Sequence, residues 1–148
     1  MFSIDKIKQL REETEVSISE CKKALEEAGG DFEKAREILK KWGKELAQKK
    51  KARETNQGTI DCYIHSNKRV GVLLELNCET DFAAKSPHFQ NLAHEICLHI
   101  AGFSEEDMPL LEQPWIKDES RKIKELLDEY IAKVGENILV KRFVKYSL

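Results

Sequence analysis

The side chains of this 148-residue chain best suited to bond chemistry are His94, Cys97 and His99, since imidazole and thiolate are usual zinc ligands. His94 and Cys97 stand three residues apart and would share one helix face, whereas His99 projects elsewhere. Two aligned ligands fall short of the three or four that zinc takes, so a small metal-dependent enzyme centred here fails on ligand count. The four cysteines (Cys21, Cys62, Cys78, Cys97) are scattered without a C-x-x-C pair, which argues against a disulfide framework or a zinc ribbon. No catalytic triad and no glycine-rich phosphate loop can be read. No metal and no cofactor is implied.

A different kind of site lies at Thr80-Asp81-Phe82. Val70, Val72, Leu74, Leu76 and Cys78 alternate at period two, and the alternation breaks into a polar corner followed at once by an aromatic. The pattern admits two readings. Phe82 turns inward and closes the core while Asp81 caps a short helical turn, or the pair stands out from a rigid strand end and enters a partner.

The elements that must position this corner follow from punctuation and periodicity. Ser3 is placed as N-cap of a helix bearing Ile4, Ile7 and Leu10. Ser17 with Glu20 forms a capping box for Ile18, Cys21, Leu25 and Ala28, and Gly29-Gly30 ends that helix. Asp31 caps a third helix with Phe32, Ala35, Ile38, Leu39 and Trp42 inward. Residues 1–42 thus make a three-helix module, and residues 43–57 a basic linker with five basic and two acidic residues between Gly43 and Gly58. That linker lacks the interleaved aromatics of a single-strand binder.

Residues 58–148 make the core. Ile60, Cys62 and Ile64 are expected on the buried face of a first strand, hairpinned through Ser66-Asn67-Lys68 to the second, with Tyr63 lying over Gly71. Ser86-Pro87 opens a helix with Phe89, Leu92, Ala93, Ile96 and Ile100 inward. After an irregular stretch, 103–117, Asp118 or Ser120 opens another helix with Ile123, Leu126, Leu127, Tyr130, Ile131 and Val134. Gly135 stops it, and 137–146 returns as a third strand. The fold class is α+β: a small three-stranded antiparallel sheet covered by helices, behind the three-helix module.

Three stretches resemble one family in order. E-L-N-C-E-T-D-F-A-A-K (75–85), L-R-E-E-T-E-V-S-I-S-E-C-K-K-A-L (10–25) and G-E-N-I-L-V-K-R-F-V-K-Y (135–146) are similar to the two signatures and the closing strand of elongation factor Ts in its short, single-core form. The resemblance implies a ubiquitin-associated-like N-terminal module and a guanine-nucleotide exchange factor of elongation factor Tu without covalent chemistry. It implies Thr80, Asp81 and Phe82 as a wedge near the partner's magnesium and phosphate site, and Arg11, Ile18, Ser19 and Lys22 as a second contact with the partner's GTPase domain. Two methionines are common in the family where Ile18 and Ser19 stand here, and valine is usual at Ala83.

Long members of that family carry two core halves, and this chain has room for one. A homodimer is therefore expected, with Ile138, Val140, Phe143 and Val144 of the last strand as its surface. A net charge of −2 gives no general pull toward nucleic acid or membrane, and no stretch is apolar enough to span a bilayer. The first residues lack the pattern of a secretory signal, so a cytoplasmic location with reduced thiols is expected. The competing class is a non-catalytic adaptor binding peptides or ubiquitin-like folds through its three-helix module. It leaves the Thr80-Asp81-Phe82 corner without a purpose.

Overall fold

Side-chain caps start the first three helices of the computed structural model, which describes residues 3–148. The Ser3 hydroxyl accepts the Lys6 N–H at the start of α1 (Ile4–Thr14), and the Ser17 hydroxyl accepts the Glu20 N–H at the start of α2 (Ile18–Glu27). Asp31 accepts two N–H groups at the start of α3 (Phe32–Lys50). Gly29 and Gly30 take positive φ at the turn between α2 and α3. The three helices close on Leu10, Cys21, Ala24, Leu25, Ala35 and Leu39, and Ile7, Phe32, Ile38 and Trp42 complete the cluster. Ile4 and Ile18, expected on the inward faces, are 70% and 55% exposed.

The third helix does not stop at Trp42. It continues to Lys50, so the first half of the expected basic linker is helical and packed. Gly43 lies inside it, packed against α6 (Ile123–Val134): a Cβ there would stand 3.4 Å from the Ala132 Cβ, an ordinary contact. The packing of α3 on α6 offsets the cost of about 1 kcal/mol for glycine inside a helix. Ala47, one turn on, is buried in the main core.

That core is built on a sheet of order β1-β2-β5, antiparallel throughout, from β1 (Gln57–Ile64), β2 (Val70–Cys78) and β5 (Ile138–Ser147). Val72, Leu74, Leu76 and Cys78 point to the helical side and are buried, as their alternation predicts. β1 is turned the other way from expectation. Thr59, Asp61 and Tyr63 pair with Leu76, Leu74 and Val72 and are half-buried, while Ile60, Cys62 and Ile64 are exposed. Directly paired residues share a face, and a one-residue change of register exchanges every side chain. Gly71 accordingly lies opposite Ile64, whose Cδ1 would stand 3.0 Å from an added Cβ, and not under Tyr63.

β5 carries a bulge at Lys141, because Arg142 pairs with Glu75 and Val140 with Leu76. The bulge splits the four residues expected at a dimer surface. Ile138 is buried in the core, Val140 packs against it, Phe143 sits at the open rim of the helical side, and Val144 faces outward.

α5 (Pro87–Gly102) covers the inner face with Phe89, Leu92, Ala93, Ile96, Cys97 and Ile100, and Ser86 caps it by accepting the Phe89 N–H. The stretch after it is more ordered than expected. A 3₁₀ turn (Leu110–Glu112) leads to a short ribbon of β3 (Pro114–Trp115) and β4 (Asp118–Lys122). Asp118 does not cap a helix. Its carboxylate accepts both the N–H and the O–H of Ser120 at the start of β4, just past the turn of the ribbon, and α6 begins only at Ile123. Gly135, at φ 80°, ends α6.

Candidate functional site at the end of the second strand

β2 ends at Cys78, and four residues, α4 (Asp81–Ala84), form one helical turn beyond it. Thr80 caps this turn, its hydroxyl accepting the Ala83 N–H at 3.1 Å. Ala83 and Ala84 face the core and are buried. Asp81 is exposed, with Lys85 as its ion partner at 3.0 Å, and it does not act as the cap. Phe82 is 88% exposed, so the reading in which it closes the core does not hold. The ring therefore stands in solvent on a turn whose two alanines are seated in the core.

The corner is tied down by Glu136, a residue to which the sequence pattern assigned no role. The Glu136 carboxylate accepts the N–H of Glu79 at 3.1 Å, the N–H of Thr80 at 2.9 Å and the O–H of Thr80 at 2.6 Å. In return the Glu79 carboxylate accepts the Asn137 N–H at 2.7 Å and meets Arg53 at 3.5 Å. The Asn137 amide donates to the Arg53 carbonyl at 2.9 Å, and Lys50 donates to the Gly135 carbonyl. No local sequence signal announces Glu136; its partners lie 56 and 57 residues away. The Cys78 thiol beneath the corner donates to the Thr80 carbonyl, and burial, reinforced by the Glu136 charge, pushes its pKa up to about 11. It therefore stays a protonated packing group near neutral pH.

The second expected contact surface lies on the N-terminal module. Arg11 sits in the last turn of α1, Ile18, Ser19 and Lys22 in the first half of α2, and all four are exposed. Ile18 is the large apolar side chain among them. His94, Cys97 and His99 do not converge. His94 is exposed, Cys97 is buried with its thiol pKa pushed up to about 12 by burial, and His99 is engaged by Gln113 and the Ile116 N–H. Among the described residues no group of three or more His, Cys, Asp or Glu side chains is placed to hold a metal ion, and no helix is long and apolar enough to cross a membrane.

The family model described as Elongation factor TS matches residues 3–103 and 79–148, two overlapping pieces that together cover almost the whole chain. Among similar proteins are elongation factors Ts of Rubrobacter xylanophilus (41% identical, 98% of each chain covered) and Coprothermobacter proteolyticus (41% identical, 99% of this chain and 98% of the relative). That of Thermotoga maritima is 40% identical over 99% of this chain and 96% of its own. These alignments extend over 191 to 193 residues against 148 here, so the relatives carry residues that this chain lacks.

Proposed function

This chain belongs to the elongation factor Ts family, and on that premise we propose that it accelerates GDP release from elongation factor Tu, with Asp81 and Phe82 as the wedge. The observation that carries the proposal is the exposure of Phe82, 88%, on a turn whose neighbours Ala83 and Ala84 are buried. An exchange factor needs no covalent step. It binds the nucleotide-free partner more tightly than the loaded one, and by reciprocity its binding weakens the partner's hold on GDP by the same factor. Phe82 suits this work because it buries a large rigid area and has little rotamer freedom to lose. Asp81 brings a carboxylate to a region that holds magnesium and phosphate, where an added negative charge opposes both the phosphate's binding and the balance of the metal site. Its pairing with Lys85 is a solvent-exposed contact and is easily exchanged.

Arg11, Ile18, Ser19 and Lys22 form the second contact in this reading. They offer an apolar centre flanked by two cations, exposed on the outside of the three-helix module. A cytoplasmic site of action and a ubiquitin-associated-like character for the module follow from the same family reading.

The partner of the outer sheet face is a second copy of this chain. Ile60, Cys62 and Ile64 of β1, Leu73 of β2 and Leu139, Val144 and Tyr146 of β5 share that face, all exposed. This cluster of exposed apolar side chains supports the reading, since contiguous apolar patches mark interaction surfaces. A twofold pairing of two such faces restores a two-lobed core. Of the four residues expected there, Val144 lies on this face, whereas Ile138, Val140 and Phe143 lie on the helical side.

The experiment is stopped-flow release of a fluorescent GDP analogue from elongation factor Tu, with this protein and with Phe82→Ala. Acceleration by the wild type, lost in a folded Phe82→Ala variant, is the expected result. A wild type that leaves release unchanged overturns the proposal and favours the adaptor class.

A further inference from the structure

We propose that Glu136 is the positioning residue of the Thr80-Asp81-Phe82 corner, holding the wedge in the orientation it needs and linking it to the turn between α6 and β5. The proposal rests on the exchange reading above and adds a residue to it.

The ladder between β2 and β5 ends at the pair Cys78 and Ile138. Beyond it the N–H groups of Glu79 and Thr80 would have no strand partner, and an unpaired backbone donor is costly wherever water reaches it poorly. Glu136, two residues before Ile138, supplies a carboxylate where the next strand residue would have stood. It accepts both N–H groups and the Thr80 hydroxyl. Hydrogen bonds to an ionised acceptor are shorter and stronger than neutral ones, and the 2.6 Å contact to the Thr80 hydroxyl fits that class.

The Thr80 hydroxyl is used twice. It donates its O–H to Glu136 and accepts the Ala83 N–H, so the carboxylate orients the cap and the cap orients the turn. A single helical turn of four residues has almost no stability of its own. Ala83 and Ala84 anchor it from beneath, but nothing in their small side chains sets its rotation. The Glu136 carboxylate supplies that constraint, and Phe82 arrives preorganised.

The same turn connects outward. Glu79 returns a bond to the Asn137 N–H, Asn137 holds the chain after α3 through the Arg53 carbonyl, and Lys50 donates to the Gly135 carbonyl. The end of the helix from the N-terminal module therefore meets the wedge at Glu136 and Asn137. A module docked on the partner would transmit its position to Phe82 through this junction.

The test compares wild type, Glu136→Ala and Glu136→Gln in GDP release from elongation factor Tu, together with deuterium uptake of residues 78–84 in the free protein. Glu136→Ala is expected to lower the maximal release rate by roughly tenfold or more, as misplaced reacting groups do. The half-saturating concentration should change by less than about threefold, because the module surface is untouched. Corner amides should take up deuterium faster while the rest of β2 keeps its protection. Glu136→Gln retains one accepting oxygen and should fall between. Should Glu136→Ala not fold, Glu136→Gln alone carries both readouts. Unchanged corner uptake, or an unchanged maximal rate, overturns the proposal. A rate loss that only mirrors a smaller folded fraction overturns it too. If wild type itself leaves release unchanged, the exchange reading fails first and this proposal falls with it.

Discussion

Lys133 Nζ stands 3.1 Å from a Glu15 carboxylate oxygen and so joins the end of α1 to the last turn of α6. Lys133 is largely buried, pairs also with Glu129 at 3.4 Å, and lies over the Tyr130 ring, 4.9 Å from its centroid. Glu15 adopts the left-handed conformation, φ 58°, that normally falls to glycine or asparagine at a helix end. His88 of the core approaches the same carboxylate at 3.7 Å. With the Gly43–Ala132 approach, this cluster seats the three-helix module on the core.

Removing the lysine leaves Glu15 and Glu129 without their shared cation. Lys133→Met is expected to cost about 1–2 kcal/mol, between an exposed pair and a fully buried one. The hydrogen bond from Lys133 holds the Glu15 carboxyl below its usual value of 4.5. A depressed carboxyl stabilises the fold above that value and loses its contribution as pH falls through the folded one. A urea double-mutant cycle of Lys133→Met with Glu15→Gln should therefore show coupling at neutral pH and none in strong acid. Additivity at neutral pH would mean the pair contributes nothing.

The outer sheet face predicts an assembly. Leu73 lies on the central strand, 50% exposed, with Ile60, Ile64, Leu139 and Tyr146 around it and one ion pair, Glu75 with Arg142 at 2.9 Å, near its middle. Light scattering at micromolar concentration should give a dimer for wild type and a monomer for Leu73→Glu, which places two like charges against one another across a twofold. The variant's far-UV spectrum should be unchanged, since Leu73 lies outside the buried core. A monomeric wild type ends the dimer reading.

Gly58 marks a constraint hidden from the sequence, where it reads only as the end of a linker. It pairs with Asn77, and a Cβ there would collide with the Leu76 carbonyl oxygen and come within 2.8 Å of the Asn77 Cα. Those are backbone atoms of the central strand and cannot turn aside. Gly58→Ala should cost about 1–3 kcal/mol, as overpacking does. Urea denaturation measures it, and a variant within a few tenths of wild type would show that β1 shifts freely.

Legibility in the sequence tracks the range of the forces. Ser3, Ser17, Asp31, Ser86 and Gly135 act within one turn, and each starts or ends its helix where its type predicts. Asp118 acts locally too, but its carboxylate serves equally in a helix cap and in a ribbon turn, and only the pairing of β4 with β3 decides. The face of β1 was not legible, because its apolar alternation, Ile60, Cys62 and Ile64, points to the core by type, while the register with β2 turns Thr59, Asp61 and Tyr63 inward instead. Gly43 looked like a break because the packing that carries α3 through it comes from α6, around Ala132, 89 residues on. At the candidate site the three corner residues could be named from their types and from the family resemblance. Their direction depends on Glu136, which no local pattern ties to them.

His99 predicts a response to mild acid. It is fully buried in α5 and stacked on Phe103, with ring centroids 5.1 Å apart. Its Nδ1 accepts the Ile116 N–H at 3.2 Å, so the ring proton sits on Nε2 and is donated to the Gln113 amide oxygen at 2.8 Å. Burial pushes its pKa below the ordinary 6.5, and the bond to Gln113 opposes that only in part. The unfolded chain therefore binds a proton at this residue in a pH range where the folded one does not. Stability from this source is complete above 6.5 and falls as pH drops from there toward the folded value, by at most about 1.4 kcal/mol per pH unit. His99→Gln keeps a donor and an acceptor but cannot titrate. Its melting temperature should be lower than wild type at neutral pH, and the gap should narrow between about pH 6.5 and 5. Parallel curves for the two proteins over that range would mean that His99 takes up its proton without leaving the fold.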